Sequence, residues 1–234
     1  MPITMLVQAL TLDLDDTLWP VWPTIARAEA ALADWLARHA PATVRLHDKA
    51  AMVGLRAQVL RDRPDWVHDL SALRHQTIRR ALLAAGDDPA LADQAFEVFV
   101  AERHRVDLYD DVLPALARLA GRWPVVALSN GNADVYRVAG LGRWFHASLS
   151  ARDIGTSKPD PAIFARACLL AGSDPAHTLH IGDDAALDVD GALDAGLQAA
   201  WVRRPGLGAT AVQPRGLPQH VVVSLAELAD RLGV

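Results

Sequence analysis

Cysteine, lysine and long apolar stretches are all scarce in this chain of 234 residues. A single cysteine, Cys168, excludes a disulfide framework and fits a reducing cytoplasm, which is the expected location. It lies in an apolar-rich stretch, which predicts a small buried core residue. The sequence shows neither an apolar run long enough to span a bilayer nor a signal-peptide pattern, so we expect no membrane partner.

Excess positive charge is absent as well. The chain has 23 lysines and arginines against 28 acidic residues, a formal net charge of -5, which gives no electrostatic basis for binding nucleic acid or an anionic membrane. A bound phosphate group would therefore need a local site. Hydrophobic residues make up 51% of the chain, as in an ordinary domain with a sizeable core. The expected partner is a small molecule, and the expected assembly is a monomer or a homodimer.

The periodicity of the chain changes twice. An apolar run over residues 5–12 predicts a buried strand. Helical spacing then predicts four successive helices, the first with an apolar stripe of Ile25, Ala28, Leu32, Trp35 and Leu36, at residues 23–40, 43–61, 67–85 and 90–106. Thr43 is a candidate N-cap of the second helix. Four consecutive helices indicate an all-helical bundle inserted after the first strand.

Beyond Tyr109 strands and helices alternate, which is typical of a parallel sheet with crossover helices. Strands are predicted at residues 124–128, 146–149, 178–181, 198–202 and 221–223. Helices are predicted at residues 112–120, 133–139, 161–171, 185–195 and 225–232. The expected fold class is α/β, with a Rossmann-like three-layer parallel-sheet core (residues 1–18 and 107–234) and an inserted all-helical cap domain (residues 19–106).

The sequence becomes acidic where the first predicted strand ends. Asp13, Asp15 and Asp16 fall within four positions and are followed by Thr17. Crowded carboxylates repel one another unless a cation compensates, and the carboxyl edge of a parallel sheet is where such folds bind ligands. Asp13 could act as a nucleophile and Asp15 as a general acid and base. The alternative is that these acids cap a turn, the role expected of Asp16.

Two further polar motifs adjoin predicted strands or helices. Ser129 and the backbone around Asn130 follow a strand and could cradle an anion, although an ordinary turn is an equal alternative. Lys158 precedes a helix. Lys49 and Lys158 are the two lysines of the chain, and the others of its 23 lysines and arginines are all arginine. A compact ammonium suits a crowded site that holds carboxylates and a phosphate, although chance is a rival with only two lysines.

A fourth motif, residues 181–188, places Asp183 after a strand and Asp188 early in a predicted helix. Asp183 could present its carboxylate to a metal, while Asp184 and Asp188 could simply complement a helix N-terminus. All four motifs would meet at one edge of one sheet. This convergence predicts a metal-dependent phosphate site.

The four motifs together resemble those of the haloacid dehalogenase superfamily of hydrolases. Residues 13–17 resemble the first motif, Ser129 the second, Lys158 the third and residues 182–188 the fourth. The point of insertion resembles that of members with a helical cap of the first type. A closer likeness, which includes a cap turn with Trp66, His68 and Asp69, is to bacterial flavin-pathway phosphatases that dephosphorylate a ribitylaminouracil phosphate.

The resemblance implies a Mg²⁺-dependent phosphomonoester hydrolase that forms an aspartyl-phosphate and acts on a small phosphorylated metabolite. Asp13 would attack phosphorus, and Asp15 would protonate the leaving alcohol and then activate water. Asp13, the Asp15 carbonyl and Asp183 would hold Mg²⁺, with Asp188 in support. The residues expected to contact phosphate are Thr17, Ser129, Asn130 and Lys158.

Substrate specificity is expected to reside in the cap. The candidates to face the substrate are Trp19, Trp22, Trp66, His68 and Arg74; the alternative for the tryptophans is that they fill the interior between cap and core. The other histidines are expected to be surface or satisfied core residues. Alternative functions are a phosphoglycolate-type phosphatase and a non-catalytic phosphate-sensing module of the receiver kind. Asp15 argues against the dehalogenases, which lack an acid there.

Overall fold

The computed structural model describes residues 6–206 and 212–234, so Met5, the start of the first predicted strand, lies outside the described residues. The chain divides into two compact units, Val21–Val106 and the combination of Met1–Pro20 with Asp107–Val234. The unit formed by Met1–Pro20 and Asp107–Val234 includes Trp19 and Pro20, whereas the predicted core domain ended its first segment at residue 18. Within the described ranges, none of the helices has the length and apolar character needed to cross a bilayer.

The unit Val21–Val106 is all-helical. Its helices are α1 (Val21–His39), α2 (Pro41–Leu46), α3 (Lys49–Asp62), α4 (Leu70–Ala85) and α5 (Leu91–Arg103), with a 3₁₀ turn at Pro64–His68. Leu32 and Leu36 of α1 are buried with Ile78 of α4 and Phe99 of α5 in one apolar core. Within the predicted apolar stripe, Ala28 is also buried, whereas Ile25 and Trp35 are partly buried.

The prediction of one helix over residues 43–61 is wrong. Pro41 opens α2 two residues earlier, and the chain leaves the helix at His47 before Asp48 caps α3 by accepting a 2.8 Å hydrogen bond from the Ala51 amide. Thr43 is therefore not an N-cap. Its amide and its hydroxyl both donate to one carboxylate oxygen of Asp87, each at 2.7 Å.

The other unit is built on a parallel sheet. Its strands are β1 (Ala9–Leu12), β2 (Val125–Ser129), β3 (Ala147–Ser150), β4 (Thr178–Gly182), β5 (Gln198–Val202) and β6 (His220–Val222), in the spatial order β3-β2-β1-β4-β5-β6. Leu12 of β1 lies opposite Ala127 of β2 on one side and Ile181 of β4 on the other. The strand order therefore reverses at β1, and such a switch point is where α/β sheets bind ligands.

Helices flank this sheet, which confirms the predicted α/β fold. They are α6 (Val112–Ala120), α7 (Ala151–Ile154), α8 (Pro161–Ala171), α9 (Gly191–Asp194) and α10 (Leu225–Arg231). Phe164 and Ala167 of α8 share a buried core with Val126 and Leu128 of β2, and α6 contacts α10. Cys168 is buried in the same core, as predicted.

A helix over residues 133–139 was predicted and is wrong, because this segment forms turns. Asp134 accepts a 2.9 Å hydrogen bond from the amide of Tyr136 through its own side chain. A short acidic side chain that captures the amide two residues ahead offers the backbone a turn in place of a helix. The chain then enters a 3₁₀ turn at Gly142–Trp144 before β3.

Candidate active site

The acidic loop begins directly after the central strand. Asp13 is 7% exposed, and its amide donates a 2.9 Å hydrogen bond to the Ile181 carbonyl of β4. The Thr17 hydroxyl lies 2.9 Å from an Asp183 carboxylate oxygen and 3.2 Å from one of Asp13. A hydroxyl has a single proton, so the shorter contact is the donated bond. Thr17 thus links the loops that follow β1 and β4.

Asp16 occupies the turn, as predicted. Its φ of 62° is left-handed, a conformation that aspartate tolerates better than most residues. Its amide donates to the Trp19 carbonyl at 2.8 Å, and the Leu18 amide donates to the Leu14 carbonyl at 2.8 Å. These two backbone bonds close the loop that carries Asp13 and Asp15.

Lys158 lies at the centre of the site. Its side chain is 2% exposed, and its Nζ lies 2.5 Å from an oxygen of Asp13 and 2.6 Å from an oxygen of Asp188. The Asn130 side chain accepts from the Lys158 amide at 2.8 Å and donates to the Lys158 carbonyl at 3.0 Å. The side-chain amide of Asn130, predicted to contact phosphate, thus holds the backbone of Lys158 in this structure.

The helix predicted over residues 185–195 begins as a wider π-helical turn, Ala185–Asp190, and this turn carries Asp188. The Asp184 carbonyl accepts from the Val189 amide at 3.2 Å, and an Asp188 oxygen accepts from the Asp184 amide at 2.9 Å. A Cβ atom on Gly182 would lie 2.2 Å from Cγ of Asp188. Only glycine therefore fits beneath this carboxylate.

His180 supports Asp188 from within the sheet, a role that the sequence analysis missed. Its Nε2 lies 3.1 Å from the Asp188 oxygen that also contacts Lys158, and its Nδ1 lies 2.8 Å from the Thr11 hydroxyl. Burial lowers the pKa of His180 despite the attraction of Asp188, so the ring is neutral. The carboxylate needs a donor, which assigns the proton to Nε2 and leaves Nδ1 to accept from Thr11. The sequence carries no signal that distinguishes a histidine with this role from an ordinary buried core histidine.

The charges of the site do not balance. Burial raises the pKa of Asp13 to about 7, with repulsion from Asp188 adding to it and Lys158 opposing it. Burial and repulsion from Asp13 and Asp188 raise the pKa of Asp183 to about 8. Burial disfavours the charges of Lys158 and Asp188, but attraction outweighs it. Asp13 and Asp188 raise the pKa of Lys158, and Lys158 together with the hydrogen bond of His180 lowers the pKa of Asp188. The site therefore holds three acidic side chains and one ammonium group, which contacts two of them, Asp13 and Asp188.

This excess of negative charge fits a cation. Carboxylate oxygens of Asp13, Asp183 and Asp188 lie within 4.8 Å of one another. An all-oxygen donor set is the kind preferred by hard divalent cations such as Mg²⁺. The Asp15 carboxylate is not part of this cluster; its Oδ1 accepts a 2.9 Å hydrogen bond from Nε1 of Trp19.

Two buried residues outside the four motifs hold the acidic loops, and neither was predicted from the sequence. Nε1 of Trp201 donates to the Asp183 carbonyl at 2.8 Å. Nε and Nη2 of Arg204 donate to the Thr17 carbonyl at 3.0 and 2.9 Å, while Nη1 lies 2.6 Å from Asp111. The sequence predicts only a core residue for a tryptophan at the end of a strand, and nothing in it distinguishes Arg204 from the many other arginines.

Ser129 ends β2 and is 2% exposed, and its Oγ accepts from the Gly131 amide at 2.9 Å. Trp19 is fully buried, so the expectation that it faces a substrate is wrong. Trp22 is 74% exposed, and its role in substrate binding stays a prediction.

The cap candidates have contacts within the helical unit. The guanidinium of Arg63 lies 3.9 Å from the Trp66 ring centroid, and Nη1 of Arg74 lies 2.6 Å from Glu29. His68 ends the 3₁₀ turn and is half-buried. Roles for Trp66, His68 and Arg74 in substrate binding stay predictions.

The sequence pattern of the haloacid dehalogenase-like hydrolase family matches residues 7–196. The chain belongs to this family. The match spans all four motifs and confirms the resemblance drawn from them. It also confirms the prediction of a hydrolase and not the alternative of a non-catalytic phosphate-sensing module.

Three relatives show how varied the family is. Over 201 residues (84% of each chain) this hydrolase is 35% identical to 5-amino-6-(5-phospho-D-ribitylamino)uracil phosphatase YigB of Escherichia coli K12. It is 35% identical over 160 residues to phosphoserine phosphatase of Thermus thermophilus, covering 66% of this chain and 63% of that one. The crystal structure of 2-haloacid dehalogenase from Pseudomonas syringae pv. Tomato DC3000 matches with a TM-score of 0.90 and 38% identity, covering 97% and 98% of the two chains.

Proposed function

We propose that this protein is a Mg²⁺-dependent phosphomonoester hydrolase that forms a phospho-aspartate at Asp13 and acts on a small phosphorylated metabolite. The observation that carries the proposal is the buried contact of Asp13 with Lys158 beside Asp183, at the switch point of the sheet. Two of the relatives named above are phosphatases, which supports the same reaction.

In this mechanism an Asp13 oxygen attacks phosphorus and the bond from phosphorus to the ester oxygen breaks. The leaving oxygen takes that electron pair and a proton from Asp15. Water then attacks the phosphoryl group on Asp13 and gives a proton to Asp15. The bond from phosphorus to the Asp13 oxygen breaks, which releases inorganic phosphate and restores both carboxyl groups.

Lys158 holds Asp13 in the attacking position and balances part of the charge of the phosphoryl oxygens, which Ser129 and the Asn130 backbone also contact. Mg²⁺ held by Asp13, the Asp15 carbonyl and Asp183, with Asp188 in support, would neutralise the remaining charge of the site. Thr17 keeps the two acidic loops at a fixed separation through its bond to Asp183.

Mg²⁺ is expected to bind more tightly at pH 8 than at pH 6. The pKa of Asp13 is raised to about 7 and that of Asp183 to about 8, so a cation must displace protons at pH 6. The apparent affinity is expected to rise about tenfold or more over this interval. A Mg²⁺ titration of the thermal midpoint at both pH values measures it. Asp183→Asn is expected to lose most of the increase in thermal midpoint that Mg²⁺ produces. An unchanged Mg²⁺ titration in this variant would mean that Asp183 does not bind the metal.

The metal-free protein should show the complementary trend. A carboxyl whose folded pKa is raised stabilises the fold below its ordinary pKa, and this stability is lost as the pH rises through the folded value. The contribution of Asp13 and Asp183 to the free energy of unfolding is therefore expected to decline as pH rises from about 4 and to level off above the folded pKa values of about 7 and 8, and excess Mg²⁺ should flatten that decline.

A 2-haloacid dehalogenase is the second candidate, since the Pseudomonas syringae structure carries that name. A halide leaves as a weak base and needs no proton, whereas an alkoxide needs one. Asp15, two residues beyond Asp13, has a role in ester hydrolysis and none in halide release. We therefore favour the phosphatase.

The helical unit is proposed to select the substrate through Trp66, His68 and Arg74. The 35% identity to YigB makes 5-amino-6-(5-phospho-D-ribitylamino)uracil the first candidate, with phosphoserine and phosphoglycolate next.

A metabolite screen tests the proposal. Purified protein with Mg²⁺ is incubated with these three esters, with sugar and nucleotide phosphates, and with 2-chloropropionate, and both phosphate and chloride release are measured. Phosphate release that stops with a chelator is the expected result. Chloride release without phosphate release would establish the dehalogenase instead.

A further inference from the structure

We propose that Trp19 is a positioning residue for Asp15 and directs the general acid toward the leaving group. The inference rests on the phosphatase function proposed above. Nε1 of Trp19 donates a 2.9 Å hydrogen bond to Oδ1 of Asp15, and the Trp19 side chain is fully buried. The indole therefore reaches the acid from the protein interior.

The backbone gives this bond a fixed frame. Asp15 and Trp19 form an isolated β-bridge, and the Asp16 amide donates to the Trp19 carbonyl at 2.8 Å. The Tyr109 amide donates to the Leu18 carbonyl at 3.0 Å, next to Trp19 in the chain. Together with the two bonds of Arg204 to the Thr17 carbonyl, these contacts hold both ends of the Trp19–Asp15 bond.

A carboxyl group on a fixed backbone still rotates about its last side-chain bond, because this torsion is broad. A hydrogen bond at Oδ1 stops that rotation and sets the direction of Oδ2. An N–H donor at Oδ1 also disfavours a proton on the same oxygen, since two donor hydrogens would face each other. The proton of the acid form is thereby held on Oδ2, the oxygen whose direction the indole sets.

An indole suits this task because its N–H only donates and does not titrate in the working pH range. In the mechanism above Asp15 is neutral before the first step and charged after it. Oδ1 accepts the Trp19 bond in both states. The same orientation therefore serves the acid in the first step and the base in the second.

The consequence is a dependence on the leaving group. Expulsion of an alkoxide needs a proton from Asp15, whereas 4-nitrophenoxide is a weak base and leaves without one. Loss of the Trp19 bond should therefore slow attack on an alkyl phosphate and spare attack on a nitrophenyl phosphate. kcat/KM reports the first transfer for each ester, before the shared hydrolysis of the phospho-aspartate.

The test compares benzyl phosphate with 4-nitrophenyl phosphate as substrates of the protein with Mg²⁺. General acid catalysis is worth about 10²–10⁴ in rate, and a misdirected acid forfeits part of it. Trp19→Phe keeps an aromatic ring and removes the donor. It is expected to lower kcat/KM for benzyl phosphate by about ten- to a hundredfold and for 4-nitrophenyl phosphate by less than about threefold. Asp15→Asn should show the same pattern more strongly.

Trp201→Phe is the matched control. It removes another buried indole donor, but from the Asp183 carbonyl and not from the acid, so it should change both kcat/KM values by one common factor. The benzothiophene analogue of tryptophan at position 19 replaces N–H by sulfur and keeps the fused ring. It repeats the test if Trp19→Phe does not fold.

Equal loss for both esters in these position-19 variants would overturn the inference and leave the phosphatase in place. A wild-type protein that releases phosphate neither from these two esters nor from any ester of the metabolite screen would overturn the proposed function, and the inference with it.

Discussion

Asp13→Asn is expected to reduce phosphate release from 4-nitrophenyl phosphate by about 10⁴-fold or more, because removal of a nucleophile stops the covalent step. The amide oxygen of asparagine can still accept from Lys158, so the fold should persist. Steady-state kinetics measure the loss, and circular dichroism checks the fold. Retained activity in a folded Asp13→Asn protein would end the phospho-aspartate assignment.

Asp16→Asn is the matched control for this variant. It makes the same chemical change three residues away, in a turn residue at φ 62°, a conformation that asparagine also tolerates. Its activity is expected to stay within about threefold of wild type, since the proposed mechanism gives Asp16 no role. A large loss in Asp16→Asn would show that charge in this loop matters beyond Asp13 and Asp15.

Lys158→Met is expected to destabilise the fold by about 3–5 kcal/mol near neutral pH, because it leaves two buried carboxylates without their cation. The Asp13 and Asp188 side chains are 10% and 3% exposed, so water screens them poorly. Urea denaturation with Mg²⁺ removed measures the change. A loss below about 1 kcal/mol would mean that the carboxylates find another partner.

The pH dependence of this loss has a definite sign. Without Lys158 the folded pKa of both carboxyl groups should lie above the unfolded value, so stability is retained in acid and lost as pH rises. Lys158→Met should therefore be less destabilising at pH 5 than at pH 8, and Mg²⁺ should recover part of the loss. Lys49→Met, the same change at an exposed position, should alter stability by no more than about 0.5 kcal/mol.

Regular elements were the most predictable from the sequence. The predicted helices at residues 112–120 and 161–171 coincide with α6 and α8, since each has an apolar stripe and α8 also begins at proline and ends at glycine. The carboxyl ends of β1, β2 and β4 carry the motifs as predicted, because residues that follow adjacent parallel strands must meet at one edge.

What the sequence could not show depends on local competition and on distant contacts. Asp134 favours a turn over the predicted helix through one side-chain hydrogen bond, an effect that apolar periodicity does not record. The contacts of Trp201 with Asp183 and of Arg204 with Thr17 join residues 18 and 187 positions apart in the chain. Neither spacing nor composition encodes such pairs, although their partners lie in motifs that were identified.

The uneven burial of the two lysines makes the chain suitable for selective chemistry. Lys49 is exposed in the helical unit, whereas the Lys158 side chain is 2% exposed and bonded to two carboxylates. Of these two side chains, an amine-reactive dye should label Lys49 in the folded protein and place a reporter on the helical unit.

Acylation of Lys158 requires the ammonium to leave both carboxylates and lose its proton. The rate at which a peptide containing Lys158 becomes acylated would therefore report how often this side chain leaves its two carboxylates in the native protein.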